Sequence, residues 1–106
     1  MEVKTVHGLM DVHIGAQYAE IYGRLAFPTL VIVWEVISDP KVEINSDGSK
    51  FISWMARNID NGDETVMGIS DTDYHYCPHL YPIDNPRIKR CIEKRGSFKF
   101  DPKRFI

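Results

Sequence analysis

The chain has 106 residues, of which 43% are hydrophobic and 26% charged, and its formal net charge is −2. This size and composition are typical of one soluble globular domain and exclude a low-complexity or repeat protein. The longest nearly apolar run, residues 25–37, contains Pro28 and Glu35 and is too short and too interrupted to span a bilayer.

Residues 1–14 predict one or two short strands, and residues 16–26 carry an amphipathic pattern that predicts a first helix. Apolar residues recur there at i, i+3, i+4 and i+7, which places them on one face of a helix. These residues are Tyr18, Ile21, Tyr22 and Leu25. Pro28 ends the predicted helix, and Gly23 inside it costs about 1 kcal/mol relative to alanine.

The middle of the chain predicts strands. The segments are residues 29–38, 41–44, 50–59 and 64–70. The first, TLVIVWEVIS, is rich in β-branched and aromatic residues without alternation, which predicts a central strand covered on both faces. Asp47-Gly48 is a hairpin signal before the third segment. That third segment also fits a helix capped by Ser49, and we prefer the strand because the turn signal is stronger than the cap.

Residues 86–95 predict a second helix. Asn85 is a favourable N-cap, Pro86 suits the first helical position, and Gly96 is a stop signal. The apolar face consists of Ile88, Cys91 and Ile92. Residues 97–106 alternate phenylalanine with charged residues, which fits a last edge strand or a docked arm. The whole chain, residues 1–106, is therefore expected to form a single compact α+β domain. It has a mostly antiparallel sheet of about four to six strands and two helices, 16–26 and 86–95.

The start of the chain and its two cysteines indicate the cellular compartment in which the protein is expected. Residues 1–10 show no basic head followed by an apolar stretch, so we expect no secretory signal. Without one, Cys77 and Cys91 are expected to be reduced thiols. We therefore predict a cytoplasmic protein.

The segment SDTDYHYCPHLYP, residues 70–82, carries the most distinctive chemistry. Acidic, histidine and cysteine residues occupy every second position from 71 to 79, as they would on one face of a strand. Imidazole and thiolate bind zinc, so this pattern predicts a zinc-binding domain or a metal-dependent enzyme. Its ligands would be His75, Cys77, His79 and, from the N-terminal region, His13. No C-x2-C pair accompanies them, and a satisfied polar strand face is the alternative.

Catalytic residues are not assigned. Cys77 has a histidine two residues away on each side, which suits an activated thiol, but no cysteine-protease signature surrounds it. A Gly-rich phosphate loop, a serine elbow and a paired-histidine helix motif are also missing from the sequence. We therefore expect that the protein is not an enzyme.

Two segments are candidates for binding a macromolecule. Tyrosine offers rigid amphipathic area, so Tyr74, Tyr76 and Tyr81 predict a partner-binding surface, unless they simply cover the sheet. Residues 87–104 combine cations with aromatic residues, as single-stranded nucleic acid requires, although a solvated helix face gives the same pattern. The candidate cations are Arg87, Arg90, Lys94 and Arg95.

The charge distribution bears on the choice between these partners. Residues 1–86 contain 5 Lys or Arg and 13 Asp or Glu, whereas residues 87–106 contain 8 Lys or Arg and 2 Asp or Glu. An acidic body suits a basic partner surface, and a basic end attracts nucleic acid or pairs with the body. The sequence thus predicts a non-enzymatic protein that modulates or inhibits a larger protein or nucleoprotein partner. Nucleic-acid binding and zinc binding are the alternatives. Its size and lack of catalytic motifs are typical of small regulators carried by viruses and mobile elements.

Overall fold

The computed structural model describes residues 1–95, which contain eight strands, one 3-10 turn and one α-helix. The strands are β1 (Glu2–Thr5), β2 (Gly8–Asp11), β3 (Gln17–Arg24), β4 (Phe27–Val36), β5 (Lys41–Ile44), β6 (Lys50–Asn58), β7 (Glu64–Ser70) and β8 (Leu80–Pro82). The 3-10 turn is Tyr74–Tyr76 and the helix, α1, is Pro86–Glu93. The predicted stop at Gly96 and the predicted strand or arm at 97–106 lie outside the described residues. No helix within residues 1–95 is long and apolar enough to cross a membrane.

The strands form two antiparallel sheets. Strands β1 and β2 pair with each other, and the other six form one sheet in the order β5-β6-β4-β3-β8, with β7 also paired to β6. The predicted sheet-rich α+β class is therefore confirmed. The prediction of two helices is wrong for the part of the chain that the structure describes, because only one of the two segments is helical.

Residues 16–26, predicted as a helix, form strand β3 and part of the turn after it. Strand β3 pairs with β4 on one side and with β8 on the other. Alternation along the strand divides the apolar residues between its two faces, with Tyr18 and Tyr22 on one face and Ile21 on the other. Tyr18 lies in the core with β1 and β2, whereas Ile21 is buried beside α1. Because both faces of β3 are covered, its sequence lacks the alternation of a half-exposed strand and imitates a helical pattern.

The prediction of a central strand at 29–38 is confirmed by β4, which lies between β3 and β6. Val33 and Trp34 are neighbours on opposite faces, and both are buried. The first part of the strand is less covered, since Phe27 and Leu30 are exposed. The predicted strands at 41–44 and 64–70 correspond to β5 and β7.

The ambiguous segment 50–59 is a strand, β6, for residues 50–58. Its hairpin with β5 turns at Gly48, whose φ of 85° is a conformation that glycine adopts without strain. Asp47 stabilises the same turn, because its Oδ1 accepts hydrogen bonds from the backbone N–H and the hydroxyl of Ser49 at 2.9 and 2.6 Å. The observed hairpin therefore agrees with the strand that the turn signal favoured.

Two hydrophobic clusters cover opposite faces of the six-stranded sheet. The larger joins the two sheets and consists of Val3, Met10, Val12, Tyr18, Trp34, Val36, Ile52, Trp54, Ala56, Ile69 and Leu80. The smaller consists of Ala19, Ile21, Ile88 and Cys91 and attaches α1 to β3. The helix begins as predicted, since Asn85 Oδ1 accepts the Arg87 N–H at 2.9 Å and Pro86 occupies the first helical position. Cys91 is buried in this cluster, as its position on the apolar face predicts.

Candidate functional site

Residues 71–79 connect β7 to β8, and we name this segment the anchored loop. It contains the 3-10 turn Tyr74–Tyr76, so the expectation of one strand with a shared polar face is wrong. Short polar side chains explain the difference. Ser70 Oγ accepts hydrogen bonds from the backbone N–H groups of Thr72 and Asp73 at 3.3 and 3.2 Å. Such local bonds give the backbone an alternative to a sheet ladder.

The first half of the anchored loop is fixed by a backbone clamp and an aromatic anchor. Asp71 Oδ1 accepts the Lys50 N–H at 2.9 Å, and the Asp71 N–H donates to Lys50 O at 3.0 Å. Tyr74 is half-buried and packs against the larger cluster. Lys4 Nζ lies 5.1 Å from the centre of the Tyr74 ring, within cation–π range. The loop is thereby tied to β6, to β1 and to the core.

The second half is fixed by Cys77 and Pro78. Cys77 is partly buried, packs against the larger cluster, and donates its S–H to Gly68 O at 3.8 Å. Pro78 O lies 2.7 Å from Nε2 of His7, which can donate to it. Burial raises the pKa of the Cys77 thiol, and the nearby Glu20 carboxylate adds to the rise. A raised pKa keeps the thiol protonated near neutral pH, the opposite of an activated nucleophile.

The residues predicted as zinc ligands have other contacts. They are His13, His75, Cys77 and His79. His13 Nδ1 lies 3.1 Å from Asp11 Oδ2 beside β2, and His79 Nδ1 lies 3.2 Å from Ile21 O. Within residues 1–95, no three His, Cys, Asp or Glu side chains lie close enough to share one metal ion. The zinc site stays a prediction, which a zinc-sized mass excess in native mass spectrometry, removed by His75→Ala, would establish.

The three tyrosines predicted to contact a partner have different environments. Tyr76 is 78% exposed at the end of the 3-10 turn, and its ring lies 4.3 Å from that of the exposed His75. Tyr74 is the anchor described above. Tyr81 lies outside the anchored loop on β8, where its ring stacks on His7 with centroids 3.7 Å apart. Only Tyr76 of the three therefore projects most of its side chain away from the protein.

A polar network that the sequence analysis missed lies beside the loop. Glu20 accepts hydrogen bonds from the Tyr22 hydroxyl at 2.8 Å and from Trp34 Nε1 at 3.0 Å. The bond to Glu20 raises the pKa of Tyr22 to about 12. The Tyr22 ring packs against His79, with centroids 4.1 Å apart. A strand prediction for residues 17–24 would have indicated the contact between Glu20 and Tyr22, because alternation places them on one face.

The cations predicted to bind nucleic acid divide into two groups. Arg87 and Arg90 on α1 and Lys94 at its C-terminal cap are exposed and line one open cavity. Arg95 instead pairs with Asp60, with Nε and Nη2 donating to the two carboxylate oxygens at 2.8 and 2.9 Å. This bidentate pair fixes the C-terminal end of α1 to the turn between β6 and β7. Arg95 is therefore a structural tether in the described part of the chain.

The tether predicts a pH dependence of stability. The Arg95 guanidinium holds the pKa of Asp60 below its ordinary value of 3.8. Because the pKa of Asp60 is lower in the folded than in the unfolded state, its ionised form stabilises the folded protein at pH values above the unfolded-state pKa. This contribution is lost as the pH falls through the folded-state pKa. Both side chains are partly exposed, so the pair contributes up to about 1 kcal/mol. We expect Asp60→Asn to lower the free energy of unfolding by up to this amount near neutral pH, and the difference to close below pH 3.8. Urea denaturation of the wild type and of Asp60→Asn at neutral pH and below pH 3.8 measures this difference. A difference that persisted below pH 3.8 would contradict the stabilising role of the pair between Arg95 and Asp60.

The comparisons with known proteins give no relatives for this arrangement. No protein-family model, no curated protein and no solved structure matches the chain.

Proposed function

We propose that the chain is a non-enzymatic binding protein that modulates or inhibits a larger protein or nucleoprotein partner through the anchored loop. The observation that carries this proposal is the contrast within four consecutive residues. Tyr76 is 78% exposed, whereas Tyr74 and Cys77 beside it pack against the core. An exposed aromatic side chain on a fixed backbone is the arrangement that binding hot spots use.

The fixed backbone favours binding for an energetic reason. Association loses free energy when a loop must become ordered, at about 0.5–1.5 kcal/mol for each immobilised side chain. The anchored loop has already made its hydrogen bonds to Lys50, Gly68 and His7 in the free protein. Less of the interaction energy with a partner is then spent on ordering the loop.

The charges around Tyr76 indicate the chemistry of the partner. Asp71 and Asp73 are exposed in the same loop, and the body of the protein up to residue 86 is acidic overall. An acidic surface steers association with a basic partner surface, including one that normally holds nucleic acid. The partner surface is therefore expected to offer a pocket for an aromatic ring with Lys or Arg around it.

The experiment is affinity capture from the cells in which the chain is expressed, with three forms of the protein. These are the wild type, Tyr76→Ala, and Phe27→Ala as a matched control, since Phe27 is 79% exposed but lies on β4. We expect the same partner to be retained by the wild type and by Phe27→Ala and lost with Tyr76→Ala. A partner retained by Tyr76→Ala but lost with Phe27→Ala would move the binding surface to β4.

A further inference from the structure

A second surface lies between α1 and the turn that joins β3 to β4. None of its lining residues belongs to the anchored loop, although His7, in the cavity beside it, also holds that loop at Pro78. We name this second surface the basic groove; its volume is about 270 Å³. It is lined by Leu25, Ala26, Arg87, Arg90, Cys91 and Lys94. No carboxylate is among these lining residues. Within residues 1–95, none of the three cations forms an ion pair.

The cations form a row. Arg87 and Arg90 lie on α1 and Lys94 is its C-cap residue, three and four positions apart. This spacing places the three on one side of the helix. With a rise of 1.5 Å per residue, the row extends about 10 Å along the helix axis. A row of this kind matches successive charges along a chain, as in a nucleic acid backbone, better than it matches one isolated phosphate.

The helix that carries the row is held in place. Cys91 Sγ donates to Leu25 O at 3.3 Å, which joins the two walls of the groove. Ile88, on the inner face of α1, is buried, and the pair between Arg95 and Asp60 fixes the C-terminal end of the helix. The backbone that carries the three cations is therefore fixed before any ligand binds.

An aromatic stack lies next to the row. A neighbouring cavity of about 440 Å³ shares Leu25 and Arg87 with the basic groove and is also lined by His7 and Tyr81. The two rings are nearly parallel, at 11°, and His7 remains exposed although one of its faces lies on Tyr81. Because His7 and Arg87 line the same cavity, a base stacked on His7 would leave a phosphate of the same strand near Arg87. Asp84 also lines this cavity, and its carboxylate suits the amino groups of a base better than a phosphate.

We infer that the basic groove binds the backbone of single-stranded nucleic acid, with one base stacked on His7. An acidic peptide would use the row of cations but would leave the adjoining aromatic face without a role. A duplex would bring many more phosphates close to the acidic surface formed by residues 1–86, which repels them.

The experiment measures fluorescence anisotropy of a labelled oligothymidylate with the full chain over a series of salt concentrations. Contacts to three phosphates predict that the logarithm of the binding constant falls with the logarithm of salt at a slope of about −2. Arg90→Ala is expected to reduce the size of that slope by about 0.7, whereas the matched control Lys41→Ala on β5 leaves it unchanged. Charge reversal of Arg87, Arg90 and Lys94 together is expected to abolish saturable binding.

Two further variants test the stacking contact. His7→Ala is expected to weaken binding roughly fivefold or more with an unchanged salt slope, and His7→Phe is expected to restore it, because phenylalanine keeps an aromatic face. The inference is overturned if the wild type shows no saturable binding at low salt, or if Lys41→Ala changes the slope as much as Arg90→Ala. It is also overturned if polyglutamate displaces the oligonucleotide at the same charge concentration, since an acidic peptide would then fit the groove equally well.

Discussion

Replacing Trp54 by alanine is expected to lower the free energy of unfolding by about 3–5 kcal/mol, the largest effect we predict for a single substitution. Trp54 is 3% exposed and lies in the cluster that joins the two sheets. Its ring meets that of Tyr18 edge to face, with centroids 5.8 Å apart. Removing it opens a cavity against Tyr18 and removes apolar surface shared by β6 and β3. Equilibrium urea denaturation followed by circular dichroism measures the change.

Two other variants show whether the packing of this cluster is responsible for the loss of stability expected with Trp54→Ala. Tyr18→Phe removes the buried acceptor that Trp54 Nε1 reaches at 3.1 Å, and should lower stability by about 1–3 kcal/mol. Leu9→Ala, at an exposed site on β2, should change stability by no more than about 0.5 kcal/mol. If Trp54→Ala also lowered the free energy of unfolding by no more than about 0.5 kcal/mol, this cluster would not be the main source of stability between the two sheets.

Tyr76→Ala is expected to weaken the affinity for the captured partner by about 30-fold or more, which corresponds to the 2 kcal/mol that defines a hot spot. The free energy of unfolding should change by no more than about 0.5 kcal/mol, because most of the Tyr76 side chain is exposed. Titration calorimetry with the purified partner measures the affinity, and urea denaturation of the free protein measures the stability.

Tyr74→Ala provides the contrast within the same loop. Tyr74 packs against the larger cluster and lies under the Lys4 ammonium group, so its loss should destabilise the protein as well as weaken binding. If Tyr76→Ala destabilised the protein as much as Tyr74→Ala, Tyr76 would be part of the packed structure and the proposed binding surface would be wrong.

Local signals in the sequence predicted much of the fold. The strands β4 to β7 follow from β-branched composition and from the turn at Gly48, and α1 follows from its cap at Asn85 and its first residue, Pro86. These elements are determined by short-range chemistry, namely turn conformation and capping, which acts over a few residues. The strand β3 could not be predicted in the same way. Its pattern depends on which surfaces cover its two faces, and that is decided by distant parts of the chain.

The candidate sites were predicted less well for the same reason. Tyr76 and the cations of α1 were identified from residue type, but the pairing of Arg95 with Asp60 joins residues 35 positions apart. The stack of His7 on Tyr81 likewise joins the first hairpin to β8. The alternation at 71–79 was misleading because hydrogen bonds to Ser70 and a 3-10 turn replace the extended backbone on which it depends.

Amide hydrogen exchange of the chain with and without its captured partner is the most direct test of the anchored loop as the binding surface. Binding through the anchored loop predicts slower exchange at residues 72–79 in the complex. It also predicts unchanged exchange at β5, an exposed edge strand that a partner could also use. Protection of β5 with residues 72–79 unchanged would contradict binding through the anchored loop.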